Sequence, residues 1–295
     1  MRVLILGGTG SIGSAVLREV VRRGHTSYAV VRSHESATKV IGLGAAPIAG
    51  DIGDPSRWLA TLPQVDAVVQ MACDFNSPME QVERRLLDGL LPHLALQGNQ
   101  TKFIYTGGCW LFGTTGDNIA TEETPLRPLH AFAWMVPHLQ WTLESPGISP
   151  IVIHPAMVYE AGGGVFSRFI EDARKRRVVR VVGGEEVRWP LVHRDDLANL
   201  YVLALERGLP RNSYIGATIE GLPVGRIART IARKFGIRNL SPEIVSADLI
   251  AEELGSWARG YAIDQQMSGE KARRELGWKP LHLDPESEII SWQGY

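Results

Sequence analysis

The sequence predicts an α/β fold, a Rossmann-type doubly wound parallel sheet with a smaller C-terminal substrate lobe. Two observations lead to this prediction. First, the apolar run 3–6 is typical of a strand buried on both faces, and it leads directly into a glycine-rich turn at 7–13 that opens an amphipathic helix. Second, apolar strand segments alternate with helical patterns along the first half of the chain. Alternation of this kind is typical of a parallel sheet whose ligand lies outside the carboxyl ends of the strands.

The other elements follow in chain order. Further strands are predicted at 28–31, 47–49, 65–72, 102–106, 151–154 and 178–182. Helices are predicted at 55–62, 78–96, 166–177, 195–205, 224–235 and 269–276, with Asp195 and Ser268 as N-caps of two of them. Pro92 should kink or end its helix, and the glycines 162–164 should form a mobile loop or hinge. These elements predict a dinucleotide-binding domain over 1–157, completed by about 191–222, and a substrate lobe over 158–190 and 223–295.

Composition narrows the class of partner. The 295 residues include 31 Lys and Arg against 32 Asp and Glu, a formal charge of −1, so we expect a small-molecule partner and no nucleic acid. Only two cysteines occur, and the chain starts directly on a core strand. No apolar run reaches the roughly 18 to 20 residues of a membrane span. We therefore expect a cytoplasmic protein that does not enter a membrane.

The turn at 7–13 has the spacing of a phosphate-binding loop. Its glycines, Gly7, Gly10 and Gly13, allow a sharp turn and close approach of an anion, which the N–H groups of Ser11 and Ile12 would face. The spacing is G-x-x-G-x-x-G, and Thr9 lies within it. A tight turn without a ligand is the alternative interpretation.

The end of the second predicted strand is basic. Dinucleotide-binding folds place this point beside the adenosine ribose, where an acidic residue suits a free 2′-hydroxyl and an arginine suits a 2′-phosphate. Here Arg32 and Ser33 occupy it, which favours NADP(H) over NAD(H). A charge-assisted contact of roughly 1.5–3 kcal/mol would give one to two decades of preference. An ordinary exposed arginine is the alternative.

Several segments together resemble the extended short-chain dehydrogenase/reductase family, also called NAD-dependent epimerase/dehydratase. The matching segments are 7–13, 50–52, 65–69, 104–106, 155–159, 192–198 and 271–278. The resemblance implies that Asp51 and Ile52 bracket the adenine, and that Met71 and Ala72 lie along the diphosphate and ribose. It implies that Pro155, Ala156 and Met157 border the nicotinamide, and that the protein pairs as a homodimer.

One departure from the family pattern concerns its chemistry. Members use a tyrosine and a lysine four residues later on a helix, with a nearby serine or threonine. None of the seven tyrosines here has a lysine four residues on, and Trp134 and His138 stand at that spacing in the expected segment. Gly108 occupies the usual serine position. The standard acid/base groups are therefore missing.

Several groups are candidates to replace them. Thr106, which also borders the cofactor, can donate a hydroxyl, His138 can transfer protons near neutral pH, and Tyr159 stands in the P-x-x-V-Y segment. Each also has a structural interpretation. Thr106 could hydrogen-bond the backbone of the glycine turn that follows it, His138 could be an exposed surface residue, and Tyr159 could pack in the core. Cys109 would be a nucleophile only if an activator lowered its pKa, and none is evident.

Tryptophans predict an aromatic substrate pocket. Trp110, Trp134 and Trp189 are its candidate walls and Asp74 a candidate polar contact, with core packing as the alternative. Trp141, Gln70 and His193 are further candidates. No metal site is expected, because acidic and histidine residues do not cluster at ligand spacing.

Three functions remain open at this point. The first is an NAD(P)(H)-binding enzyme of the epimerase, dehydratase and reductase group that acts on a small carbonyl or sugar-like substrate with a nonstandard proton donor. The second is an NADP(H)-binding sensor or regulator without turnover. The third is a non-redox lyase or isomerase on the same fold.

Overall fold

The computed structural model describes residues 1–73 and 78–293. Within these ranges the strands are β1 Arg2–Leu6, β2 Thr26–Val31, β3 Ala46–Ala49, β4 Ala67–Gln70, β5 Lys102–Thr106, β6 Ser149–Pro155, β7 Met157–Glu160, β8 Gly163–Gly164, β9 Arg180–Val182, β10 Arg188–His193, β11 Asn212–Gly216, β12 Ile219–Pro223 and β13 Glu243–Val245. The helices are α1 Ser11–Arg22, α2 His34–Gly42, α3 Ser56–Leu59, α4 Met79–Leu96, α5 Met135–Glu144, α6 Ser167–Arg176, α7 Arg194–Arg207, α8 Val224–Lys234, α9 Ala247–Leu254, α10 Glu270–Leu276 and α11 Pro285–Ser291. Short 3₁₀ helices cover Cys109–Leu111, His130–Phe132 and Ser256–Ala262.

The central sheet has the strand order β11-β6-β5-β4-β1-β2-β3, and every pairing in it is parallel. In β1, the side chains of Val3, Leu4, Ile5 and Leu6 are completely buried, as a strand covered by helices on both faces requires. Helix α1 packs against α7, whereas α4 contacts α3 and α5. The predicted doubly wound parallel α/β fold is confirmed.

A second sheet begins where the chain leaves the first. Strand β7 starts two residues after β6 ends and pairs in parallel with β10, in the order β12-β10-β7-β8. Strand β9 pairs with β13 in a separate ribbon. The glycines predicted as a mobile loop are partly ordered into a strand, because Gly163 and Gly164 pair antiparallel with Glu160 and Tyr159. The chain division predicted near residue 157 stays a prediction.

Two helix N-caps differ from the sequence predictions, whereas helix α4 runs to Leu96 as predicted. Pro92 does not end this helix, because its apolar stripe still packs on the core beyond the proline. His193, rather than Asp195, caps α7, because its Nδ1 accepts the Asp195 N–H at 3.2 Å. The N-cap of α10 is Gly269, and the Ser268 hydroxyl only accepts from the Glu270 N–H at 3.3 Å.

Apolar packing is continuous from the central sheet into the second sheet. Trp58, Trp189 and Trp278 are almost completely buried in it. In the ranges the structure describes, the helices all lack the combination of length and apolar character that a bilayer crossing requires.

Candidate functional site

The glycine turn is packed too tightly for side chains at two of its positions. Gly7 has a φ of +89°, and a Cβ there would lie 2.9 Å from the backbone N and Cα of Ala72. A Cβ on Gly13 would overlap the Gly7 carbonyl oxygen, which accepts the Gly10 N–H at 3.0 Å. The first turn of α1 therefore lies directly against the end of β1.

The N-terminus of α1 presents free backbone donors. Gly10 is its N-cap, and no side chain of the described residues caps it. The first intrahelical bond runs from the Ser14 N–H to the Gly10 carbonyl at 2.9 Å. The N–H groups of Ser11, Ile12 and Gly13 precede that bond, and these residues line the main cavity. A helix end of this kind binds anions.

A cleft extends from the turn toward the end of β2. Thr9, Arg32, Asp51 and Ile52 line it, together with parts of the glycine turn and Met71-Ala72. The Asp51 carboxylate accepts the Gly53 N–H at 2.7 Å. This cleft continues the main cavity past the glycine turn.

Basic and capping residues surround the outer part of this cleft. A shallow recess beside Arg32 also includes Ser33, Arg57 and Arg85. Ser33 has a structural task there, because its hydroxyl caps α2 by accepting the Ser36 N–H at 3.1 Å. On α2, Lys39 donates to the Thr9 carbonyl at 2.7 Å and so fixes the glycine turn.

The main cavity has a volume of about 400 Å³ and joins the glycine turn to an aromatic end. Besides the glycine turn, its wall includes the predicted residues Met71, Ala72, Thr106, Trp110, Trp134, Pro155, Ala156 and Met157. Gln70, Glu83, Cys109, Phe132 and Met135 also line it. The structure thus brings together most of the residues that the sequence predicts for cofactor and substrate.

The aromatic wall is assembled from two distant parts of the chain. The Trp110 ring lies 5.6 Å from Phe132 and meets Tyr261 edge-on at 5.6 Å between ring centroids. The buried Gln265 amide donates to the carbonyls of Cys109 at 2.8 Å and Gly113 at 2.6 Å. The C-terminal third of the chain therefore holds the segment that carries Trp110.

Thr106 ends β5 with its hydroxyl 2.8 Å from the Tyr201 hydroxyl on α7. Tyr201 is fully buried, and burial raises its phenol pKa well above the usual value, so it keeps its proton. Tyr201 can donate to Thr106 and leave the Thr106 proton for a ligand in the cavity. No pattern in the sequence links these two positions.

A carboxyl group that the sequence analysis missed also reaches the cavity. Glu83 lies on α4 and is 8% exposed, with its Oε1 2.5 Å from the Tyr105 hydroxyl and 3.1 Å from His138 Nδ1. Its Oε2 lies 3.5 Å from the Gln70 amide nitrogen. The sequence contains a pattern that could have indicated this residue. Glu83 shares the apolar face of α4 with Leu86 and Leu90, where a carboxylate is unusual.

Other candidates lie away from the cavity wall. Tyr159 is buried and donates to the His282 carbonyl at 3.3 Å, while burial raises its phenol pKa well above normal. Trp189 stacks on Phe169 at 5.5 Å, so packing is its role. His138 is 5% exposed and lines a shallow outer recess instead of the cavity. The remaining candidate, Asp74, lies outside the described residues.

Two further candidates, His193 and Trp141, have structural partners. His193 caps α7, and the Trp141 ring lies beneath the Arg84 guanidinium at 4.8 Å. Burial raises the pKa of the Cys109 thiol to about 12, which disfavours a thiolate nucleophile.

A buried imidazole lies behind the turn that follows β5. A Cβ on Gly107 would lie 2.5 Å from Nδ1 of His154, and this nitrogen has no hydrogen-bond partner among the described residues. Burial lowers the pKa of His154 from 6.5 to about 4, partly offset by a backbone hydrogen bond with Gly108. The ring is therefore neutral in the folded protein at neutral pH.

This histidine predicts a specific pH dependence of stability. Between pH 6.5 and 4, His154 is protonated in the unfolded chain but stays neutral in the folded protein. Protonation therefore favours the unfolded state, and the free energy of unfolding decreases as the pH falls through this range. The loss amounts to about 3 kcal/mol over that window. In urea unfolding at pH 7.5 and 4.5, we expect His154→Gln to show a smaller difference than wild type. Equal differences would contradict the assignment.

A protein-family model and a fungal relative identify the family of this chain. The family model described as "NAD dependent epimerase/dehydratase family" matches residues 3–216. An uncharacterised protein of Schizosaccharomyces pombe is 30% identical over 299 residues, covering 99% of each chain. The chain belongs to the NAD-dependent epimerase/dehydratase family.

Solved structures agree on the fold of this epimerase/dehydratase family member. A dTDP-glucose 4,6-dehydratase double mutant from Streptomyces venezuelae, with NAD bound, superposes with a TM-score of 0.83 at 17% identity and covers 99% of this chain and 95% of its own. A human epimerase family protein with NADPH superposes with a TM-score of 0.75 at 20% identity, covering 98% of each chain. At these identities the likeness shows the fold.

The predicted family resemblance is therefore confirmed. Trp134, which the sequence analysis aligned with the family's tyrosine, is the N-cap of α5, and His138 follows on that helix. The Trp134 indole N–H donates to the Ala131 carbonyl at 3.0 Å, so it is already engaged within the protein.

Proposed function

We propose that this family member is an NADP(H)-dependent oxidoreductase that interconverts a small, largely apolar aldehyde or ketone and its alcohol. One observation carries the proposal: a single cavity joins the bare N-terminus of α1 to an aromatic end and passes Thr106 on the way. Known structures of the fold with NAD or NADPH support a nicotinamide cofactor.

The glycine turn fits such a cofactor. The N–H groups of Ser11, Ile12 and Gly13 would receive its pyrophosphate, and Gly10, which carries no side chain, would let it approach the backbone. Asp51 and Ile52 would border the adenine, and residues 155–157 the nicotinamide. A bound nicotinamide supplies or accepts a hydride, whereas the protein orients the substrate and excludes water.

The lining of the aromatic end favours an apolar carbonyl substrate. Its walls are Trp110, Phe132, Trp134, Met135 and Met157, and the described lining includes neither lysine nor arginine. A nucleotide sugar would bring a second pyrophosphate, whose charge calls for basic partners. An aldehyde or ketone needs only apolar contact and one hydrogen bond to its oxygen. Thr106, oriented by Tyr201, would supply that bond.

The test combines binding and turnover. Purified protein is titrated with NADPH and NADH, and then assayed for NADPH oxidation with aliphatic aldehydes, aromatic ketones and nucleotide sugars. We expect NADPH to bind more tightly and apolar carbonyls to be reduced. Binding without oxidation in any assay would overturn the oxidoreductase and favour a sensor, whereas conversion without added nicotinamide would favour a lyase or isomerase.

We expect Arg32 to determine the preference for NADPH over NADH. Replacing Arg32 with Ala removes a charge-assisted contact to a 2′-phosphate, so NADPH affinity should fall about 10- to 100-fold. NADH affinity should stay unchanged, since that cofactor carries no phosphate there. Fluorescence titration with both cofactors checks this, with Arg22→Ala on α1 as a surface control. Equal losses for both cofactors would assign Arg32 a structural role instead.

Location and assembly are part of the same proposal. The sequence contains only two cysteines, which favours a reducing, cytoplasmic compartment. We also expect a homodimer and a division into a cofactor domain and a substrate lobe, to be tested by sedimentation and limited proteolysis.

A further inference from the structure

Glu83 lines the cavity, and the proposed function gives it no role so far. Among the described lining residues it carries the only carboxyl group, and α4 holds it 8% exposed. Burying a carboxyl group is costly unless it is paired and hydrogen-bonded. The structure provides such partners, and one of them leads out of the cavity.

The partners divide between the two carboxyl oxygens. Tyr105 donates to Oε1 at 2.5 Å and His138 Nδ1 lies 3.1 Å from the same atom, whereas Oε2 has a 3.5 Å contact with the Gln70 amide. Gln70 is fixed in turn by its bonds to the Ala72 backbone at 3.1 and 3.2 Å. The carboxyl group is thus held in place through Oε1, and Oε2 is the less occupied oxygen.

His138 connects this carboxyl group to the outside. It is absent from the described cavity wall but lines a shallow outer recess with Glu80, Arg84 and Arg85 of α4. Trp134 packs edge-on against the imidazole at 5.3 Å and separates it from the aromatic end of the cavity. A chain of two titratable groups therefore runs from the cavity through Glu83 and His138 to the recess.

Other groups near the cavity are poorly suited to give a proton. Burial and the neighbouring Glu83 raise the pKa of the Tyr105 phenol well above normal, so it remains a fixed donor to Glu83. Burial raises the pKa of Cys109 to about 12, and the Trp134 N–H is bonded to Ala131. Glu83 alone among the described lining residues carries a carboxyl group, a kind of group that serves as a general acid in enzymes.

We propose that Glu83 is the proton donor of this site and that His138 reloads it from solvent. The inference rests on the proposed carbonyl reduction. A reduced nicotinamide, when bound, would supply the hydride for the carbonyl carbon. Glu83 supplies the proton: its O–H bond breaks as an O–H bond forms on the substrate oxygen. The N–H bond of the His138 imidazolium then breaks as the Glu83 O–H bond re-forms, and the imidazole regains its proton from water in the outer recess.

The first test replaces the donor with its amide. Glu83→Gln keeps the size and the bond from Tyr105, so NADPH affinity should stay within about twofold while kcat falls about 10²- to 10⁴-fold. Asp88→Asn, the same change at an exposed site on α4, should leave both unchanged. In ¹⁵N NMR of the cofactor-free protein, Glu83→Gln should move the Nδ1 signal of His138, and Asp88→Asn should not.

The second test addresses the proton relay from the outer recess through His138 to Glu83. His138→Ala should lower kcat more than it raises KM, and added imidazole should restore part of kcat by entering through the recess. A packing role for His138 would give no such rescue. If wild type reduces carbonyls and Glu83→Gln does so at the same kcat, the donor assignment is overturned while the proposed function stands. If wild type binds NADPH but reduces no carbonyl, the proposed function is wrong, and so is the assignment of Glu83 and His138 to it.

Discussion

Replacing Gly13 with Ala is expected to abolish measurable cofactor binding. The new Cβ overlaps the Gly7 carbonyl oxygen, a backbone atom that cannot move without opening the turn. Displacing that turn moves the N–H groups of Ser11 and Ile12 away from the pyrophosphate. We expect the Kd for NADPH to rise at least about hundredfold, or roughly 3 kcal/mol, in a fluorescence titration.

Two other glycines supply the controls. Gly42→Ala, at a site in α2 with no atom within 4 Å of the new Cβ, should leave binding unchanged and should not lower the melting temperature. On Gly10 a Cβ meets only the Gly7 oxygen, at an ordinary 3.4 Å, so Gly10→Ala should fold normally and weaken only ligand binding. If Gly13→Ala binds NADPH as wild type does, the turn is structural and the cofactor site lies elsewhere.

Replacing Asp172 with Ala is expected to destabilise the protein by about 3–5 kcal/mol. The Asp172 carboxylate is 4% exposed and lies 3.2 Å from the Arg180 guanidinium and 3.6 Å from that of Arg168. Burial lowers the pKa of Arg168, whose Nε and Nη2 have no hydrogen-bond partner among the described residues. Without Asp172, two largely buried cations face each other across α6 and β9.

The neighbouring residue provides a matched control. Glu171 is one position away on α6 but exposed, and it pairs with Lys175 at 2.6 Å on the surface. Glu171→Ala should therefore unfold at the wild-type urea midpoint, since exposed pairs contribute little. Because typical domains are stable by only about 5–15 kcal/mol, the Asp172→Ala midpoint should fall conspicuously. Similar midpoints for the two variants would show that Glu253, which also pairs with Arg180, suffices.

The sequence predicts the central sheet well because its signals are local. A run such as 3–6 is apolar at every position, and the glycines at its end require a turn. The second sheet is less predictable: β8 consists of two glycines, and β10 follows from pairing with β7 and β12 rather than from its own composition. Tertiary pairing, which no local pattern encodes, decides these strands.

The candidate site shows the same contrast. The cofactor side is contiguous in sequence, so the turn at 7–13 indicates it directly. The candidate catalytic groups are far apart in sequence, and only the fold brings them within hydrogen-bond distance. Examples are Glu83 with His138 and Thr106 with Tyr201. No sequence pattern distinguishes Trp189 from Trp110, yet Trp189 is buried in the core and Trp110 lines the cavity.

The Gln265 amide, bonded to the carbonyls of Cys109 and Gly113, gives substrate binding a consequence for folding. The wall around Trp110 therefore depends on the region around 261–265 staying packed against it. By thermodynamic linkage, a ligand that binds this wall favours the packed state by RT ln(1 + [L]/Kd). A saturating substrate would thereby protect the region around 261–265 from proteases, including residues that do not touch the substrate.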